Sequence, residues 1–221
     1  ENLTVNGNAA ANAITANNFG AVSALERLFI NANNLAGDSV TVNGTAGNDT
    51  FNFNPTDAFS GIITRDGSIP EVRYGNMAAA SLLTIGGGAG GFDVVNLLGI
   101  AGADTITSTA STVTRDDTVT IGAGIDRLDV TALAGNDTVT LTAYTTTPTQ
   151  ISGGDGDDQL IGSPQADLIF GGSGNDIIVG GTGADVAYGE AGNDRFGDPA
   201  VADPAANDGG NDQFFGGDGS D

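Results

Sequence analysis

The chain has 221 residues, 36 of them Gly and none Cys, His or Trp, with 28 Asp and Glu against six basic residues and a formal net charge of −22. That composition excludes disulfides, thiolate chemistry and the commonest zinc ligand and general base, and the charge repels nucleic acid and anionic membranes. Its natural partner is a cation, and so few large side chains leave no thick globular core, so a thin, turn-dense architecture is expected.

No basic, apolar signal segment follows Glu1, and the longest apolar run, residues 77–85, is too short to cross a bilayer. The chain opens without Met and stops within a repeat at Asp221, as expected of an excerpt from a larger protein.

Residues 1–150 carry turn phrases at irregular spacing. Leu3-Thr-Val-Asn-Gly7 recurs as Val40-Thr-Val-Asn-Gly44, and the second copy runs on into Ala46-Gly-Asn-Asp-Thr-Phe51. Similar Gly-x-Asp-apolar phrases return around Asp93, Asp104, Asp126 and Asp137. Between them lie Thr- and Val-rich alternations such as Asp117-Thr-Val-Thr-Ile121, which are strand patterns bounded by turns. A less regular β-solenoid is expected here. Residues 21–31 allow one short helix as the second reading, because Leu25, Leu28 and Phe29 fall near helical spacing.

Asp spacings of 44, 11, 13, 9, 11 and 21 give no sustained column in this part. Ordinary Asn, Asp and Gly turn chemistry is therefore preferred there over a metal. The Asn-x-Thr triplets at Asn2, Asn43, Asn48 and Asn136 are read as turns too. The Thr-rich segment 144–150, with Pro148, is the expected boundary between residues 1–150 and 151–221.

From Gly153 the chain parses into nine-residue units: GGDGDDQLI, GSPQADLIF, GGSGNDIIV, GGTGADVAY, GEAGNDRFG, DPAVADPAA, NDGGNDQFF and a truncated GGDGSD. Every sixth position is Asp, at 158, 167, 176, 185, 194, 203, 212 and 221, and the eighth position is apolar in each complete unit. Half of all the acids lie here, opposed only by Arg195.

These units resemble the repeats-in-toxin (RTX) nonapeptide GGxGxDxUx, a calcium-binding β-helix repeat. The resemblance implies an all-β parallel β-roll in which six residues make a glycine-rich turn, three make a strand and two units close one coil. With eighteen residues per coil, Asp158, Asp176, Asp194 and Asp212 would stack in one column, and Asp167, Asp185, Asp203 and Asp221 in the other. Calcium takes six to eight oxygen ligands, carboxylate and carbonyl alike, whereas bare carboxylates one strand spacing apart repel.

Carried over residue by residue, the resemblance implies a first site of Gly154, Gly156 and Asp158 with Gly171, Ser173 and Asp176. A second would use Gly172, Gly174 and Asp176 with Gly189, Ala191 and Asp194. A third would use Glu190, Gly192 and Asp194 with Asn207, Gly209 and Asp212. The other column departs from the motif at Gln165 and Val201, so weaker sites are expected at Asp167, Asp185, Asp203 and Asp221.

The expected function is a secreted, extracellular calcium-binding structural module, such as an adhesin, cell-surface or matrix segment with scope for filament formation, and no catalytic residues. The alternative is an accessory or catalytic β-helix part of a secreted polysaccharide-acting enzyme. No GxSxG or zinc motif supports it. Nor do the ninth positions Ile161, Phe170, Val179, Tyr188 and Gly197 supply the repeated small polar ladder an ice-binding face needs.

Overall fold

The computed structural model describes residues 2–6, 13–17, 27–31, 39–45, 47–57, 60–65, 68–75, 82–87, 90–115, 118–197 and 212–221. These residues are all-β, with no helix among them. The strands are β1 (Asn2–Asn6), β2 (Ala13–Asn17), β3 (Arg27–Asn31), β4 (Ser39–Asn43), β5 (Thr50–Asp57), β6 (Ser60–Arg65), β7 (Ser68–Gly75), β8 (Leu82–Gly86), β9 (Val94–Leu98), β10 (Thr105–Ser108) and β11 (Thr112–Thr114). They continue with β12 (Thr118–Ile121), β13 (Arg127–Ala134), β14 (Thr138–Thr140), β15 (Thr149–Asp155), β16 (Gln159–Ile161), β17 (Leu168–Ser173), β18 (Ile177–Val179), β19 (Val186–Ala191), β20 (Arg195–Phe196) and β21 (Gln213–Asp218).

The chain divides into two compact units, one of Glu1–Leu97 with Thr112–Asp126 and one of Leu98–Ser111 with Arg127–Asp221. In the first unit, β1 pairs with β3 and β3 with β7, while β2, β4, β8 and β12 form a second parallel ladder. Two departures from a pure solenoid occur. The meander β5–β6–β7 and the pair β11–β12 are antiparallel. The sequence places Asp66-Gly67 between β6 and β7, a hairpin signal that the solenoid reading passed over. Residues 27–31 form β3, paired with β1 and β7, rather than a helix, in line with the β propensity of the sequence RLFIN; residues 21–26 lie outside the described residues.

The second unit is a parallel β-roll of two facing ladders. One runs β13–β15–β17–β19–β21 and the other β10–β14–β16–β18–β20. Each short strand turns one side chain inward. Ile151, Ile169, Ala187 and Phe214 stand opposite one another in the first ladder, and Val139, Leu160, Ile178 and Phe196 in the second. All but the terminal Phe214 and Phe196 are buried. On the opposite face of the first ladder Phe170, Tyr188 and Phe215 stack, with ring centroids 5.3 and 4.9 Å apart.

The segment 144–150 does not interrupt this unit. Strand β13 pairs with β15 from Leu128 opposite Thr149 to Ala134 opposite Asp155. Tyr144 is fully buried and its hydroxyl lies 3.0 Å from Thr147 Oγ1. The parallel ladders take the Thr- and Val-rich strands of residues 127–140 into the roll, ahead of the segment 144–150.

Candidate metal centre

At the corner of each coil an Asp side chain bonds the coil before it. The Asp137 N–H donates to Asp158 Oδ1 at 2.8 Å, Asp158 to Asp176 at 2.8 Å, Asp176 to Asp194 at 2.9 Å and Asp194 to Asp221 at 3.1 Å. In the opposite column Asp167 donates to Asp185 Oδ1 at 2.9 Å and Asp185 to Asp212 Oδ1 at 3.0 Å.

These bonds correct the expected columns at one end. Asp221 stacks on Asp194 and Asp212 on Asp185, each 27 residues on instead of 18, and β21 pairs with β19 so that Phe214 stands opposite Ala187. The stretch of sequence between these partners includes DPAVADPAA, a unit with two Pro and no Gly, and the pairing leaves nine residues more than one coil there. Asp203, Asn207 and Gly209 lie outside the described residues, so the third implied site loses Asp212. On the next turn Gly217 pairs with Glu190, Asp218 O accepts the Gly192 N–H and Asp221 Oδ1 accepts the Asp194 N–H, while Gly216 O points back at Gly189, so the residues facing Glu190, Gly192 and Asp194 across this interval are Gly216, Asp218 and Asp221.

The other implied residues are brought together. Carbonyls from neighbouring turns point into the same interval. The Gly154 and Gly156 oxygens point at Gly172 and Gly174 of the next turn, while the Gly171 oxygen points back at Gly153 beside Asp158 Oδ2. Ser173 O accepts the Gly156 N–H at 2.7 Å, and Ala191 O accepts that of Gly174 at 2.7 Å. One turn on, a β-carbon on Gly171 would overlap Asp176 Oδ2 and lie 2.7 Å from Gly189 O. Glycine at this position keeps the oxygen-lined gap uncrowded. The φ of +118° at Gly172, which aims these carbonyls, likewise suits Gly.

Asp158, Asp176 and Asp194 are at most 4% exposed, and their Oδ2 atoms have no hydrogen-bond partner among the described residues. Burial pushes the Asp158 and Asp176 carboxyls up to about 6; amide hydrogen bonds oppose this, and neighbouring acids reinforce it. Buried, acceptor-only oxygens facing carbonyls call for a hard cation. No three carboxylates converge on one point among the described residues. Each interval instead combines two carboxylates with backbone carbonyls.

Asp167 differs. Its carboxylate accepts Thr149 N–H and Oγ1–H on Oδ1, Ser163 Oγ–H on Oδ1 and Ser163 N–H on Oδ2, at 2.5–3.1 Å. Burial still raises its pKa, and these hydrogen bonds restrain the shift.

A family model described as the RTX calcium-binding nonapeptide repeat (4 copies) matches residues 150–178 and 170–196. These residues are RTX calcium-binding repeats. Their ion is calcium, and the oxygen-only intervals between their turns fit it. Comparison with curated proteins and with solved structures finds no match. No helix of the described residues is long and apolar enough to cross a membrane.

Two features lay outside the sequence reading. The RTX turns carry a second, exposed ladder at their fifth positions. Asn136 Oδ1 accepts the Asp157 N–H, Asp157 Oδ1 that of Asn175, Asn175 Oδ1 that of Asn193, and Asn193 Oδ1 that of Ser220. Stacked columns also exist upstream of the repeats. Asp49 N–H donates to Asp93 Oδ1 and Asp93 to Asp126 Oδ2, while Asp104 donates to Asp137 Oδ1. The signal was present: 93 to 126 and 104 to 137 are both 33 residues, a repeat hidden by counting alternate corners as one series.

Proposed function

We propose that this chain is an extracellular structural module that completes its fold on calcium, serving as a cell-surface, adhesin or matrix segment. The observation that carries the reading is the stack of buried, unpartnered Oδ2 atoms on Asp158, Asp176 and Asp194. Three intervals would hold ions. The first joins Gly154, Gly156 and Asp158 to Gly171, Ser173 and Asp176. The second joins Gly172, Gly174 and Asp176 to Gly189, Ala191 and Asp194. The third joins Glu190, Gly192 and Asp194 to Gly216, Asp218 and Asp221.

A cation that binds only the folded roll stabilises it by about 2.7 kcal/mol per site at a hundredfold excess over Kd. Extracellular calcium modules work at Kd values of roughly 10⁻⁴–10⁻³ M, which ties the structured state to the outside of the cell. The buried carboxylates are committed to the ladders, which supports a binding and structural role over a catalytic one.

Circular dichroism of the whole chain, first in chelator and then with calcium, tests this. The expected result is loss of β signal in chelator and recovery with calcium; full, cooperative β structure in chelator would overturn it.

A further inference from the structure

Two forms of six-residue turn recur among the described residues, and they differ at the second residue. In one form its N–H donates to Oδ2 of the turn's own Asp: Thr45 to Asp49 at 2.6 Å, Ile100 to Asp104 at 2.7 Å and Ser163 to Asp167 at 2.5 Å. None of those second residues has a positive φ. In the other form the second residue is left-handed, as at Gly154, Gly172 and Glu190, and Oδ2 of Asp158, Asp176 or Asp194 has no hydrogen-bond partner among the described residues.

The turn at residues 132–137 lies outside the matched repeats and takes the second form. Leu133 has φ +83°, and the Asp137 Oδ2 has no partner among the described residues although Asp137 is only 1% exposed. Core packing does not hold Leu133 there, since the residue is 46% exposed. Nor does its apolar character, because Ile100 is 50% exposed at the same turn position and closes in the first form.

We propose that residues 132–158 form an additional calcium site one turn upstream of the RTX repeats. The Leu133 and Gly135 carbonyls and the Asp137 carboxylate supply one side, and the Gly153 and Asp155 carbonyls with Asp158 supply the other. The carbonyl and amide geometry repeats that of the RTX intervals, with Ala132 at the first turn position where they carry Gly153 and Gly171. The Leu133 and Gly135 oxygens point at Gly154 and Gly156, as those of Gly154 and Gly156 point at Gly172 and Gly174. Gly135 N–H donates to Asp155 O at 2.7 Å, matching Gly156 to Ser173. Asp137 N–H donates to Asp158 Oδ1 at 2.8 Å, matching Asp158 to Asp176. The column of sites stops there, since the turn below, residues 99–104, is closed by its own Ile100 amide.

This proposal rests on the calcium reading of the RTX intervals, and the experiment separates the two. Calcium binding to the full chain is counted by native mass spectrometry and titrated by calorimetry for wild type, Asp137→Asn, Leu133→Gly and Asp104→Asn. Asp137→Asn is expected to lose one ion and Asp104→Asn none. Leu133→Gly is expected to keep the count and tighten one site roughly tenfold, by removing the left-handed penalty of a non-glycine residue. Wild-type stoichiometry in Asp137→Asn overturns the upstream site and leaves the RTX sites standing. Absence of calcium binding in wild type overturns both. Should Asp137→Asn fail to fold, Leu133→Gly decides, and an unchanged binding curve overturns the proposal.

Discussion

The backbone N–H of Asp158 donates to Oδ1 of Asp176, 18 residues away, at 2.8 Å, so one oxygen of the Asp176 carboxylate is taken by the preceding coil while the other faces the carbonyl-lined gap. One oxygen builds the roll and its twin is left for an ion. The two tasks can be separated experimentally.

Asp176 borders two of the proposed intervals, whereas Asp167 is already held by Thr149 and Ser163. Asp176→Asn should lose up to two bound ions and raise the calcium midpoint of folding. Asp167→Asn should keep the wild-type ion count and lose about 1 kcal/mol of stability from one weakened hydrogen bond. Calorimetric calcium titration of both variants checks this; equal ion loss in the two would defeat the distinction.

Gly171→Ala changes no charge yet places a methyl against Asp176 Oδ2 and Gly189 O. Overpacking of this kind costs about 1–3 kcal/mol, and here it crowds the gap. A raised calcium midpoint and a lower calcium-dependent Tm are expected. An unaltered Tm and midpoint would show that the gap is not where calcium sits.

Glu190 holds φ +76° at the position where the preceding repeats of its column carry Gly154 and Gly172. Glu190→Gly should stabilise the calcium-loaded protein by about 1 kcal/mol through relief of that strain. Glu190→Gln keeps the strain and should not. Thermal unfolding of both in excess calcium distinguishes strain from charge.

Without calcium, the Asp158 and Asp176 carboxyls rise from 3.8 to about 6 in the folded state. A raised folded pKa means that protonation favours the roll, so the contribution is full below pH about 4 and is lost as pH rises through about 6. In calcium-free buffer the β signal should therefore grow as pH falls from 7.5 to 5. In calcium the sign reverses, because protons compete for the ligands, and affinity should drop below pH about 6. Parallel circular dichroism titrations read both slopes; a flat calcium-free profile would contradict the burial of these groups.

The parts of this molecule that were legible in sequence are those where one residue count equals one coil. Asp158, Asp176 and Asp194 stack as their eighteen-residue spacing requires, and Leu160 and Ile178 face the core as eighth-position residues should. The count failed at Asp212 and Asp221, since residue number measures chain length while stacking measures coils, and 27 residues rather than 18 separate these two from Asp185 and Asp194. It failed again at Asp93, Asp104, Asp126 and Asp137, where two interleaved 33-residue series read as one irregular series. The form of each turn was not legible at all: Ile100 and Leu133 are both large and apolar, and only their backbone torsions tell them apart.

The shared carboxylates carry one more consequence. Asp176 lies at the border of two successive intervals, so an ion on one side fixes a ligand that the other side would otherwise have to order for itself. Neighbouring sites thus act as links in a one-dimensional chain in which each occupied link lowers the cost of the next. The response to calcium should be steeper than that of independent sites, and steeper still as coils are added, so that a gradual change in ion concentration becomes an abrupt gain of ordered strand in the roll.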